Sequence, residues 1–152
     1  MEILIGILGL IVAFLTWRLS HLQNKMNEKE MKQKDFDRNF AAYQKLEKYI
    51  HKIVSGRLKL NDTKLFDEEI KDFQFVFSKE VNDFTQKVKS FGINLALLNE
   101  KISMLSDTEL TQNEFIERKR YMSEKSELIK VSFLELSADL IDIFNPLLTI
   151  NK

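Results

Sequence analysis

Cysteine is absent from the chain, which excludes disulfides, thiolate chemistry and cysteine-ligated metals. Proline occurs once, at Pro146, and glycine four times, at Gly6, Gly9, Gly56 and Gly92, so little interrupts regular backbone. Only His21 and His51 are available as imidazoles for proton transfer or metal binding. Net charge is lacking too, because 23 basic residues balance 23 acidic ones. No basic footprint for nucleic acid is present. There is no glycine-rich phosphate loop and no G-x-S-x-G elbow. Scattered serines without a histidine beside them carry no nucleophile. The chain therefore reads as non-enzymatic, with no cofactor, no metal and no nucleic-acid partner expected.

What the chain does have, at its start, is a run of fifteen uncharged residues, Ile3 to Trp17, with the sequence ILIGILGLIVAFLTW. As a helix this run covers about 22 Å, short of a hydrocarbon core of about 30 Å. Extension to Met1 and Leu19 reaches the lower end of the spanning range, with Glu2 and Arg18 at the two interfaces. Its ten strongly apolar side chains favour insertion by roughly 3–6 kcal/mol together. A cleaved signal peptide fits less well. The n-region is Met1-Glu2, and no small-x-small site follows the run. The expectation is an uncleaved transmembrane anchor over 1–19.

Charge sets the expected orientation. Only Glu2 precedes the run, whereas Arg18, His21, Lys25, Lys29, Lys32 and Lys34 follow it. By the positive-inside rule the N-terminus faces out and the C-terminal part is cytoplasmic. Trp17, Arg18, His21 and Lys25 are the expected contacts with the membrane interface. Residues 20–34 read as a basic juxtamembrane stalk. Residues 35–152 carry 18 basic and 20 acidic side chains, a net of −2, and suffice for one small cytoplasmic domain.

Helical periodicity runs through that domain. Phe36, Phe40, Tyr43, Leu46, Ile50 and Ile53 recur at threes and fours over about 35–54, and Gly56 marks the end of that helix. Arg57 to Asp62 reads as a loop. A shorter helix follows over about 63–74, with Phe66, Ile70 and Phe73 inward. Phe73 to Phe77 alternates like a strand, but a lone strand has no partner, so it reads as a helix end and a buried link. From Ser78, an N-cap candidate, Val81, Phe84, Val88, Phe91, Leu95, Leu98, Ile102 and Leu105 form a seam of alternating threes and fours over 79–105. Gly92 lies off that seam, at a cost of about 1 kcal/mol relative to alanine. The last helix spans about 112–144. Thr111 and Glu114 form a capping box, Phe115, Met122, Ile129, Leu136 and Ile143 repeat every seven residues, and Phe133, Leu140 and Leu147 make the alternate row. Its charged N-terminal third is expected to be solvated, and Asn145-Pro146 is expected to end it. The fold class is all-α: a transmembrane helix, then a bundle of about four helices, two of them long and coiled-coil-like. Eleven of the twelve phenylalanines lie outside the membrane run and supply the core.

The segments Tyr43-Gln-Lys-Leu-Glu-Lys-Tyr-Ile, Gly56, Phe73-Gln-Phe-Val-Phe-Ser-Lys-Glu-Val-Asn-Asp-Phe, Leu97-Leu-Asn-Glu-Lys-Ile and Phe144-Asn-Pro-Leu-Leu resemble a family of small bacterial single-pass, membrane-anchored helical proteins of uncharacterised function. The resemblance covers about 36–150 and rests on core and cap residues. It departs at Leu147, where the family pattern often has tyrosine. It implies a bacterial source and a cytoplasmic-membrane address, and carries over no catalytic residue.

Other candidates for chemistry are sparse. Glu47 and His51, one turn apart, could share a metal, but a surface histidine beside a carboxylate is the commoner case. Asp67, Glu68, Glu69 and Asp72 crowd one short helix without the Glu-x-x-His pairs of a di-metal bundle. Two function classes remain: a membrane-tethered interaction module binding a protein partner, or an oligomerising defence or toxin-type effector that perturbs the bilayer. A pore needs a polar face, and the run offers only Thr16 near its end, which favours the tether. Gly9 and Ala13, four apart, are the candidate face for helix association in lipid. Leu15, Leu19, Leu22 and Met26 extend it at 4, 3, 4 spacing, with the neighbouring basic residues expected to repel across a homo-oligomer.

Overall fold

In a computed structural model the chain is all-helical, with no strand among the described residues, which are 2–105 and 111–149. Side chains are described from Leu15 onward. The elements are α1 (Glu2–Val54), α2 (Leu60–Ile70), the single turn α3 (Phe73–Val76), α4 (Lys79–Met104) and α5 (Gln112–Leu148).

The first helix is unbroken for 53 residues, about 80 Å. No proline or glycine lies between Gly9 and Gly56 to stop it. In the polar stretch Asn27 to Lys34, Glu28 and Glu30 stand four residues ahead of Lys32 and Lys34, the orientation that favours a helix. Stalk and first bundle helix are thus one element. The boundary near residue 35 is a boundary of packing, since every side chain from Leu15 to Asp35 is exposed and burial begins at Phe36 and Asn39. Among the described residues no helix is long and apolar enough to cross a membrane. The spanning anchor expected over 1–19 has no support there: Leu15 to Leu19 are exposed, and the side chains of the preceding residues, Gly9 and Ala13 included, lie outside the described ones.

Four strands of contact fix the direction of the helices. Asn39, where the packed part of α1 begins, donates Nδ2 to the carbonyl of Leu147 at the end of α5, at 3.2 Å. At the other end of α1, Gly56 lies against Ile129 of α5. Arg38 sits over the ring of Phe77 just before α4, and Asn99 late in α4 donates to the carbonyls of Gly56 (3.2 Å) and Leu58 (2.7 Å). The order is up, down, up, down, with α1, α4 and α5 enclosing the core and α2 packed on α4. Leu46, Ile53, Leu58, Val88, Leu95, Leu136 and Phe144 are among its most deeply buried side chains. Gly56 closes α1 at φ +71°, a left-handed conformation that favours glycine.

α2 begins at Leu60, earlier than the expected 63, because the Asp62 carboxylate accepts the Lys59 N–H at 3.0 Å and so caps the first turn. Phe66, Ile70 and Phe73 are buried, as their spacing predicts. The link to α4 is only half a buried one. Phe73 is inside and packs edge-on against Phe77, while Phe75 and Val76 face solvent.

The seam of α4 shifts phase at its middle. Ser78 caps the helix, its Oγ accepting the Val81 N–H at 3.4 Å, and Val81, Phe84, Val88 and Leu95 are buried as expected. Phe91, Leu98, Ile102 and Leu105 are only half-buried, and Thr85, Gly92 and Ala96 take the inward places instead. Gly92 supplies the reason. The ring of Tyr49 lies parallel on Phe66, with centroids 3.7 Å apart, and its hydroxyl points at Gly92. A Cβ at position 92 would fall 2.8 Å from Cζ and Cε1 of that ring. The glycine that weakens the helix locally admits an aromatic ring from α1.

α5 begins at the expected capping box. The Thr111 N–H donates to Glu114 at 2.8 Å, and the Glu114 N–H donates to Thr111 Oγ1 at 3.4 Å. Its buried row is Ser132, Leu136, Leu140 and Phe144, spaced by fours. The expected heptad therefore holds at Leu136 and Leu140. Ile129 and Ile143 are half-buried, and Phe115, Met122, Phe133 and Leu147 are exposed. The helix also continues through Pro146 to Leu148, past the expected stop at Asn145. Proline so near the end removes one intrahelical bond at a solvated turn. The Thr149 N–H still reaches the Asn145 carbonyl at 3.1 Å, and Asn39 takes the Leu147 carbonyl.

Two predictions follow from this packing. Leu95→Ala should cost about 2–5 kcal/mol in chemical denaturation of the full chain, and the half-buried Phe91→Ala should cost less than Leu95→Ala despite its larger side chain. At the ring-on-glycine contact, Gly92→Ala should lower stability by about 1–3 kcal/mol although alanine is the better helix former. In a Tyr49→Leu background the same substitution should be neutral or stabilising, and thermal unfolding of the four proteins of that cycle measures the difference.

Candidate interaction surfaces

The concave places carry little chemistry. The cleft of about 490 Å³ between the 56–60 loop and α4 is lined by Arg57, Leu58, Ala96, Asn99, Glu100 and Ser103 among others. Asn99 is already committed to two backbone carbonyls, and neither histidine lines the cleft, so Ser103 has no imidazole base there. Among the described residues no three His, Asp or Glu side chains are grouped to hold a metal. Glu47 accepts a hydrogen bond from Tyr43 Oη at 3.1 Å, and His51 is exposed. Asp67, Glu68, Glu69 and Asp72 are all exposed, and Asp67 pairs with Lys89 across to α4. None of these carboxylates enters the bundle.

Tyr49 Oη and Arg118 Nε are buried polar atoms without a hydrogen-bond partner among the described residues. Tyr49 is 4% exposed. Burial, then the nearby charges of Asp62 and Asp67, push its pKa far above that of an ordinary phenol. A phenol held neutral against glycine backbone is a packing group; nothing beside it would take its proton.

Charge is used to tie helices together. Lys87 of α4 reaches Glu135 and Asp139 of α5, both at 2.9 Å, and these two hydrogen bonds raise its pKa. Lys52 of α1 meets Asp62 of α2 at 2.8 Å. That bond first, and the Lys59 N–H second, lower the pKa of Asp62. At the far end of α5, Lys101 of α4 lies 5.2 Å over the Tyr121 ring.

The convex surfaces are less ordinary. In the N-terminal part of α5 the side chains partly covered are Glu114, Arg118, Tyr121, Lys125, Leu128 and Ile129. That covered row does not follow the expected seam, whose members Phe115 and Met122 are left outward, as is Ile116. Phe115 and Phe133 stand eighteen residues apart, five helical turns, and so share one line along α5 with Met122 between them. Phe133 is 55% and its neighbour Leu134 69% exposed, and Ile141 continues the second line. This outward face was missed in the heptad reading. The apolar doublets Phe115-Ile116 and Phe133-Leu134 were the available signal, because neighbours on a helix diverge by about 100° and cannot both face one core.

The residues expected at a membrane interface lie on the exposed part of α1. Trp17, Arg18, His21 and Lys25 are all exposed there, with the Trp17 and His21 rings stacked at 6.1 Å. The structure places these four on one projecting segment, away from the bundle; Gly9 and Ala13 fall outside the described side chains.

No family model, no curated protein and no solved structure matches this chain.

The lowered pKa of Asp62 has a testable consequence. A carboxylate whose pKa falls on folding adds stability that is complete above the unfolded value near 3.8 and is lost as pH falls through the lower folded value. Asp62→Asn should therefore destabilise the chain at neutral pH and flatten its loss of stability below about pH 4, which denaturation midpoints between pH 7 and pH 2 would reveal.

Proposed function

We propose that this chain is a membrane-tethered, non-enzymatic interaction module, with its helical bundle presented on the cytoplasmic face of a bacterial membrane. The observation that carries the binding role is the outward face of α5. Phe115, Met122 and Phe133 form one exposed line, with Ile116, Leu134 and Ile141 beside it. Large apolar side chains grouped on an exposed face favour a protein partner, because covering them removes apolar surface from water. The tether rests on the apolar run Ile3–Trp17, and its orientation on the basic residues between Arg18 and Lys34. The resemblance to small membrane-anchored bacterial proteins points the same way.

The test is Phe133→Asp in the full chain, purified from membranes in mild detergent beside the wild type. Because Phe133 is outside the core, helicity and unfolding temperature should hold, while a protein that co-purifies with the wild type should be lost. Identical co-purification from both would dismiss the α5 face. Protease added outside intact spheroplasts should leave residues 35–152 whole, and digestion there would dismiss the orientation.

A further inference from the structure

The exposed segment of α1 carries a second pattern, independent of what α5 binds and of the membrane address. Leu15, Leu19, Leu22 and Met26 are each between 51 and 63% exposed and lie on one side of a helix that is left uncovered there by the described residues. With Leu19 and Met26 at a positions and Leu15 and Leu22 at d positions, the same register continues through Lys29 and Gln33 to Phe36 and Phe40. The seam thus meets the bundle at its edge, where the Phe36 and Phe40 rings stack at 5.9 Å and Phe40 stays partly open to solvent.

That register also assigns the flanking charges. Arg18, Lys25 and Lys32 fall at g positions, and Gln23, Glu30 and Asp37 at e positions. In a parallel, in-register pair each g residue faces the e residue five places on in the partner. Lys25 then meets Glu30 and Lys32 meets Asp37, with Arg18 opposite the neutral Gln23. Asp37 already accepts from Gln33 of its own helix at 2.9 Å, so Lys25 with Glu30 is the stronger contact. An antiparallel pair would set g against g and bring Lys25 and Lys32 toward other cations. The repulsion expected from counting basic residues is thereby replaced by attraction in one orientation only.

From this we infer that the stalk segment of α1, about Leu15 to Phe40, is a homotypic interface that takes a second copy of this chain in parallel register. The apolar seam supplies the contact, and the g and e charges choose the orientation. Lys29 and Gln33 inside the seam weaken it and penalise slipped registers, as polar seam residues do.

Since the chain has no cysteine, single cysteines report the contact cleanly. Leu15→Cys and Met26→Cys, each in the full chain in its native membranes, should crosslink to themselves under mild oxidation, and Asn24→Cys, on the outer side, should not. An antiparallel pair over Leu15 to Phe40 would leave like positions 15 about 37 Å apart, so Leu15→Cys would not crosslink, whereas Met26→Cys, near the centre of the segment, would. Lys25→Glu should lower association in detergent roughly tenfold, and Lys25→Glu with Glu30→Lys should restore it. Crosslinking at Asn24 equal to that at Met26, absence of a crosslink at 15, or no recovery in the charge-swapped protein would overturn the inference.

Discussion

Tyr49 lies flat on Phe66 and drives its hydroxyl against the bare backbone of Gly92, and the packing of α1, α2 and α4 follows from that contact. Only a residue without Cβ lets the ring in, so α4 must present Gly92 to α1. Turning position 92 inward moves Phe91 and Leu98 toward the edge and brings Thr85 and Ala96 into the core. The contact gathers large aromatic surface at the junction of three helices. Its cost is a buried hydroxyl without a partner, since the same closeness that packs the ring excludes water.

Around that junction, polar groups are spent on joining elements. Asn99 holds the 56–60 loop, Asn39 receives the C-terminal end of α5, Lys87 bridges α4 to α5, and Lys52 with Asp62 bridges α1 to α2. Side chains committed in this way are not free for acid–base work. The surfaces that carry the proposed function are the outward lines of α5 and the exposed length of α1. Both are apolar faces that this fold itself leaves uncovered.

The two faces divide the proposed work. The stalk of α1 is suited to a second copy, because its charges complement themselves in a parallel pair. The α5 face has no such internal complement and is suited to another protein. A tether that arrays bundles side by side would present several α5 faces together, and linked sites gain avidity through effective concentration.

Much of the architecture was legible in the chain because it depends on local chemistry. Scarce breakers imply long helices, Ser78 and the Thr111–Glu114 pair mark helix starts, Gly56 marks an end, and threes and fours at Leu46, Ile53, Val88 and Leu95 mark the core. The transmembrane anchor expected from the N-terminal run is not among these features, since no helix of the described residues is long and apolar enough to cross a membrane. Tertiary structure decided the phase of each helix. Heptad spacing defines a stripe, but a stripe two or three residues wide can rotate by one position, and what rotates it is a neighbour distant in sequence. Gly92 looked like a defect until Tyr49, more than forty residues earlier, occupied it. Phe133 matched the heptad and Ser132 did not, yet Ser132 is buried: its small side chain fits the close contact and returns its hydroxyl to the Leu128 carbonyl at 2.6 Å. The apolar residues displaced by those rotations became the α5 surface, so the candidate binding face could be located only once the helices had been packed.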